Sequence, residues 1–278
     1  MAVSASGDRR DRFRSQALPA RLASGFTLAV VSIAACWAGG WYFSLFLFVI
    51  LMTALWEFLR MSSRAYPVLF IPGLVAGASV LILASTHNAA NFGVVLVPVA
   101  VWMMGASLCS PIKDRVVGLA VTALGILYVT GLGLHVLWLR EMDKGLELLV
   151  LVFLGTWAAD TFAFFVGVRY GKTPLAPEIS PGKSVEGLFG GVLGAVIVTA
   201  AAASLLLPDL GFLVSLLLGL VLGALSPVGD LLESMFKRNF SIKDTSRFIP
   251  GHGGFLDRID SLLVTAPVSY YLFRFLLS

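Results

Sequence analysis

Charge is what this sequence has least of. Asp, Glu, Lys and Arg make up 13% of its 278 residues, about half the share a soluble domain carries. With 58% of residues hydrophobic, that shortage excludes an ordinary water-soluble domain and points to an integral membrane protein. Cysteine is nearly absent. Cys36 and Cys109 lie far apart in apolar segments, which excludes a disulfide framework. Histidine is scarce too, and His87, His135 and His252 form no zinc-ligand spacing with the two cysteines. No P-loop, internal repeat or low-complexity run is present. The formal net charge of +4 does not imply a nucleic-acid partner, because the basic residues are distributed by loop, as in membrane proteins.

What fills the chain is apolar sequence in blocks. Segments 22–38, 41–59, 67–85, 92–108, 116–139, 146–168, 188–207, 210–225 and 257–277 each approach the roughly 20 residues needed to cross a bilayer. They predict an all-α polytopic bundle of about nine transmembrane helices. Residues 1–21 form a basic tail, with Arg9, Arg10, Arg12, Arg14 and Arg21, and 22–278 form one membrane domain. Ile33-Ala34-Ala35-Cys36 resembles a lipoprotein cleavage site, but the long basic region and the many following spans argue against that reading. With the N-terminus inside, all of the twenty Lys and Arg except Arg140, Lys144 and Arg274 fall on the inner side. A bacterial inner membrane with the polar loops cytoplasmic is the expected setting. Small-xxx-small pairs recur at Gly73/Gly77, Gly187/Gly191, Gly190/Gly194 and Gly219/Gly223. They predict close helix packing within the chain, with a homodimer as the alternative.

Against this background one stretch stands out. Asp230, Glu233 and Lys237 are spaced i, i+3, i+7, so a helix places them on one face. Ser226-Pro227 just before them is expected to kink or cap that helix. Lys237, Arg238, Lys243 and Arg247 supply cations, with Asp244 among them. Pro250-Gly251-His252-Gly253-Gly254 then breaks the helix. Asp257 and Asp260 begin the last apolar helix, whose positive end is expected to face anionic ligands. Carboxylates on both sides of a basic segment suggest a site for Mg²⁺ and a polyphosphate, since hard cations take oxygen ligands and share them with substrate phosphates. A merely solvated charged loop is the plainer alternative.

A second charged region lies upstream. Asp160 sits within an apolar segment, where an ionisable side chain costs about 3 kcal/mol to insert and so marks a functional candidate. A structural hydrogen bond to a neighbouring helix is the alternative. Lys172, Glu178, Lys183, Ser184 and Glu186 follow. Glu57 and Arg60, at i and i+3, are expected to pair with each other. Trp41, Trp102 and Trp138 are expected to sit at headgroup level, and His87 and His135 near the outer ends of their spans.

The run Ser234-x-Phe236-Lys237-Arg238, Lys243-Asp244-x-Ser246 and Pro250-x-His252-Gly253-Gly254-Phe255-x-Asp257-Arg258-Ile259-Asp260 resembles the signature of the phosphatidate cytidylyltransferases. Leu175-Ala176-Pro177-x-Ile179-Ser180-Pro181-Gly182-Lys183-Ser184-x-Glu186-Gly187 resembles that family's second motif. Two positions depart from the pattern: Gly182 stands where the motif has its first lysine, and Phe162 where glycine usually follows Asp160-Thr161. The resemblance implies transfer of CMP from CTP to phosphatidic acid, giving CDP-diacylglycerol and pyrophosphate. It implies Asp230 and Asp257 as Mg²⁺ ligands, with Asp260, Asp244 and Glu233 beside them or at a second cation. Lys237, Arg238, Lys243 and Lys183 would hold phosphates, His252 would hydrogen-bond one, and Ser184, Asp160, Arg258, Gly253 and Gly254 would complete the substrate site. A related enzyme acting on another lipid phosphate is the near alternative, and an ion-coupled transporter the distant one. The Asp-Gly-x-x-Ala-Arg pattern of the CDP-alcohol phosphotransferases is absent.

Overall fold

A computed structural model of the chain describes residues 30–86, 92–109, 114–242, 245–246 and 253–276. Among these, helix falls within every one of the nine expected apolar segments. Residues 30–38 are helical and lead into α1 (Gly40–Ser62). There follow α2 (Phe70–Thr86), α3 (Phe92–Ser107) and α4 (Arg115–Glu141), whose middle widens into a π-helical turn at Ile126–Gly131. Then come α5 (Gly145–Tyr170), a hairpin of β1 (Pro174–Ala176) and β2 (Ser180–Ser184), α6 (Val185–Leu206), α7 (Phe212–Asn239) and α8 (Leu256–Leu276). Among the described residues five helices, α1, α4, α5, α6 and α7, are long and apolar enough to cross a membrane.

Long-range contacts define two ends of the bundle. At one end, Lys144 after α4 donates to Asp209 between α6 and α7 at 2.9 Å, and Arg140 Nε donates to the Cys36 carbonyl at 2.9 Å. At the other, Arg238 of α7 reaches the Ile179 carbonyl in the hairpin at 3.3 Å, and Glu57 of α1 meets the start of α8. The described parts of the two charged stretches, around Lys183 and around Lys237 and Asp257, lie at this second end.

Helix α1 is the centre of the core, with Ala54, Leu55, Phe58 and Leu59 fully buried. Phe164, Phe165, Phe189, Leu193 and Leu205 are exposed on the outer surface, as expected where lipid is the solvent. The four glycine pairs pack inward against other helices of the same chain. A Cβ on Gly219 or Gly223 would fall 2.6 Å from Val196 Cα or Val192 Cα, and one on Gly191 would fall 2.7 Å from the Ala159 carbonyl. Trp41 and Trp102 are exposed, whereas Trp138 is buried, edge-on to His135.

Helix α7 is not capped at Ser226-Pro227 but runs on through Pro227 to Asn239. A proline inside a helix removes one i to i−4 hydrogen bond, and a packed apolar helix tolerates it; beside it Ser261 of the last helix donates to the Ser226 carbonyl at 3.2 Å and ties the two helices together.

Candidate active site

The continuation of α7 puts Asp230, Glu233 and Lys237 on one face, as the spacing predicts, and all three line a single cavity. Helix α8 brings Asp257, Arg258 and Asp260 to the same cavity, and α5 brings Asp160. The close approach of α7 to α8 depends on Gly229, where a Cβ would sit 2.4 Å from the Asp260 carbonyl oxygen and 2.7 Å from Ser261 Cα. Two carboxylate clusters result.

The first is built on Asp257. Its Oδ1 accepts from Lys237 Nζ at 2.9 Å, and its Oδ2 accepts from Thr245 Oγ1 and the Gly254 amide, both at 2.8 Å. Gly253 has a φ of 84° and lies against Asp257, so the turn suits glycine. Lys237 also donates to Glu233 Oε2 at 2.9 Å. Its ammonium is therefore held between two carboxylates, a pairing that the expectation of a phosphate-holding lysine did not include. A half-buried lysine between two carboxylates lowers their mutual repulsion. The other oxygen of Glu233, Oε1, is buried without a hydrogen-bond partner.

The second cluster joins α5, α7, α8 and the hairpin. Ser226 Oγ donates to Asp160 Oδ1 at 2.5 Å. Lys183 of β2 pairs with Asp230 at 2.7 Å, and Asp260 is buried nearby with Oδ1 accepting from the Ser261 amide at 2.8 Å. Asp160 thus makes the hydrogen bond to a neighbouring helix that was its structural alternative, and it also lines the cavity. Five carboxylates, Asp160, Asp230, Glu233, Asp257 and Asp260, line the cavity, and Lys183 and Lys237 are paired with three of them. Cations are favoured where acidic groups outnumber their partners in a partly desolvated site. Among the described residues no three His, Cys, Asp or Glu side chains converge into a ligand set of their own.

The remaining candidates divide. Ser184 is the N-cap of α6, its Oγ accepting from the Gly187 amide at 3.1 Å. Arg238 is exposed and fastens the hairpin turn. Glu186 accepts from the Lys172 and Thr173 amides and closes the base of the hairpin. Lys243, Asp244 and His252, with Arg247, lie outside the described residues. Three amides at the start of α8 are already taken: Gly254 donates to Asp257, and Phe255 and Leu256 donate to Glu57.

Glu57 is the residue that sequence reasoning misplaced. It does not pair with Arg60, whose guanidinium lies 4.7 Å from the centre of the Trp56 ring. It turns inward and is fully buried. The signal was available, since a carboxylate in an apolar span is a functional candidate by the same rule that singled out Asp160. Thr245, Ser226 and Ser261 were also missed, being short hydroxyls whose partners lie on other elements.

The two departures from the family pattern have local explanations. Phe162 is accommodated by Gly194, where a Cβ would lie 2.3 Å from the ring. A Cβ at Gly182 would meet nothing within 4 Å. Gly182→Lys is therefore expected to leave the melting temperature in detergent within about 2 °C of the parent, in line with an ordinary surface change. A drop of 5 °C or more in thermal unfolding would contradict this open environment.

The cavity has a volume of about 1350 Å³. Its long wall is apolar, formed by Ile33, Trp37, Phe43, Phe46, Leu47, Ile50 and Leu51 together with Val150, Phe153 and Trp157. Its charged lining, Asp160, Asp230, Glu233, Lys237, Asp257, Arg258 and Asp260, comes from α5, α7 and the start of α8. These features define the class: a multi-pass helical membrane protein with an acidic and basic site at the end of an apolar chamber. The chain belongs to the cytidylyltransferase family, whose model matches residues 19–276. It is similar to the phosphatidate cytidylyltransferase of Staphylococcus epidermidis, with 32% identity over 235 residues, 83% of this chain and 89% of that one. The Haemophilus influenzae phosphatidate cytidylyltransferase is 45% identical over 137 residues, 48% of each chain. That of Thermotoga maritima is 42% identical over 140 residues, 48% of this chain and 52% of that one.

Proposed function

We infer that this chain transfers the cytidylyl group of CTP to phosphatidic acid, releasing pyrophosphate and forming CDP-diacylglycerol. The observation that carries this reading is the cavity, apolar along its length and charged at one end, which matches an acyl lipid with a phosphate head. Family membership adds the nucleotidyl donor and sets the transporter alternative aside.

In the reaction, an oxygen of the lipid phosphate attacks the α-phosphorus of CTP. The bond from that phosphorus to the β-phosphate bridging oxygen breaks, and pyrophosphate leaves. A phosphate monoester is already an anion at neutral pH, so no strong base is required. The work left to the protein is positioning and charge neutralisation. Lys183, at the rim beside Asp230, is the cation we assign to substrate phosphate. Lys237 holds Glu233 and Asp257 together and acts through them.

We assign Mg²⁺ to Asp230 and Asp257, with Glu233 and Asp260 able to serve a second cation. The fit rests on the unpartnered buried Glu233 Oε1 and the excess of carboxylates. A carboxylate has about four acceptor sites, and Asp257 uses three in the structure, leaving one. Mg²⁺ commonly takes one or two carboxylates and fills its sphere with water and substrate phosphate, so a closed protein cage is not required. When bound, such an ion neutralises charge developing on the transferred phosphoryl group.

The charged end of the bundle carries Arg60, Arg64, Arg115, Arg169, Lys172, Lys183, Lys237, Arg238 and Arg258, against Arg140, Lys144 and Arg274 toward the other. By the positive-inside rule this asymmetry supports a cytoplasmic site, where CTP is available. The test is incubation of the purified protein with CTP, Mg²⁺ and phosphatidic acid in mixed micelles. The expected result is a CDP-lipid product that requires all three. Product with an isoprenyl phosphate but none with phosphatidic acid would move the assignment to another lipid acceptor.

A further inference from the structure

We propose that Glu57, on the helix that walls the apolar cavity, is a positioning residue that sets the turn carrying Asp257. The inference rests on the cytidylyl-transfer reading and adds a residue from outside both signature motifs. Glu57 is fully buried and does not line the cavity, so it touches no substrate. Its Oε1 accepts from Ser246 Oγ at 2.5 Å and from the Phe255 amide at 3.1 Å, and its Oε2 accepts from the Leu256 amide at 2.8 Å. The three donors run from the segment after α7 to the first residue of α8, some 190–200 residues away in sequence.

The fit around this carboxylate is close. A Cβ on Gly254 would lie 2.5 and 2.7 Å from its two oxygens and 2.1 Å from Thr245 Oγ1. The Gly254 amide meanwhile donates to Asp257 Oδ2. One short turn is therefore held from two sides, by Asp257 from within α8 and by Glu57 from α1. The neighbouring Phe58 packs edge-on against Phe236 of α7, with ring centres 5.3 Å apart, next to Lys237. Helix α1 thus fixes both partners of the Lys237–Asp257 pair relative to the chamber it lines. A buried carboxylate that accepts several hydrogen bonds orients its donors strongly, because each loses heavily if left unmade.

The test compares Glu57→Gln with the parent in detergent, measuring kcat, KM for phosphatidic acid and the half-saturating Mg²⁺ concentration on the monodisperse fraction. An amide there must turn a donor toward a donor. The expected result is a kcat lowered at least about tenfold and a Mg²⁺ requirement raised at least about threefold, with the lipid KM within about twofold. Loss of folded protein alone would not move the Mg²⁺ requirement. Should Glu57→Gln not fold, Ser246→Ala removes one donor only and is expected to shift kcat and Mg²⁺ dependence in the same directions by about two- to fivefold. Wild-type kcat and Mg²⁺ dependence in whichever variant folds would overturn the proposal. Asp257→Asn, measured alongside, separates the two readings. If it is inactive while Glu57→Gln and Ser246→Ala behave as the parent, only the positioning role fails. If it is fully active, both fail.

Discussion

Asp257→Asn is expected to lower kcat by about a thousandfold while the protein stays folded in detergent, the scale seen when a group acting on the transition state is removed. The side chain takes a lysine on one oxygen and a hydroxyl and an amide on the other. An asparagine can satisfy one side only, since its NH₂ must face either Lys237 or the Thr245–Gly254 pair. It also removes a negative charge from the place where we assign the cation. The fold itself is held elsewhere, by α1 and by the glycine contacts among α5, α6 and α7, so the melting temperature should fall by no more than a few degrees. The check is turnover together with thermal unfolding. Near-normal turnover in folded Asp257→Asn would remove Asp257 from the site.

The second large effect is at Lys183. With glycine at 182, this motif carries a single lysine, and its ammonium sits 2.7 Å from Asp230, with the side chain 23% exposed. Lys183→Met is expected to cost about 10²–10³ in kcat/KM for CTP, both through the lost cation and through the charge left on Asp230. Lys183→Arg should recover part of the loss, because it restores charge but not the point geometry of an ammonium. The pair Gly182→Lys with Lys183→Met tests whether the neighbouring position can take over. Steady-state kinetics in CTP at saturating lipid give the comparison. Equal kcat/KM in parent and Lys183→Met would place the phosphate cation elsewhere.

How much of this was legible follows from where each signal lives. The face of Asp230, Glu233 and Lys237 was legible because helical period is local and α7 is a long unbroken helix. Asp160 was legible because a carboxylate in an apolar run is costly wherever the chain goes. Glu57 carried the same signal, but Arg60 three residues on offered a local partner, and the true partners lie across the fold. Lys237 was read as a free cation because sequence cannot show that two carboxylates close on it. Phe162 looked like a defect until Gly194 was seen opposite. Ser184 matched a motif position whose local use is the cap of α6. The bundle was legible from apolar blocks alone. Its chamber was not, since a cavity depends on which apolar faces fail to meet.

The most direct test of the central claim is the fate of label from CTP in purified protein with phosphatidic acid and Mg²⁺. With [α-³²P]CTP the account predicts radioactive CDP-diacylglycerol, formed one for one with pyrophosphate. With [γ-³²P]CTP it predicts label in pyrophosphate and none in lipid. Label from the γ-position in the lipid would mean phosphoryl rather than cytidylyl transfer. Absence of lipid label from either nucleotide, in protein shown to be folded, would contradict the assigned reaction itself.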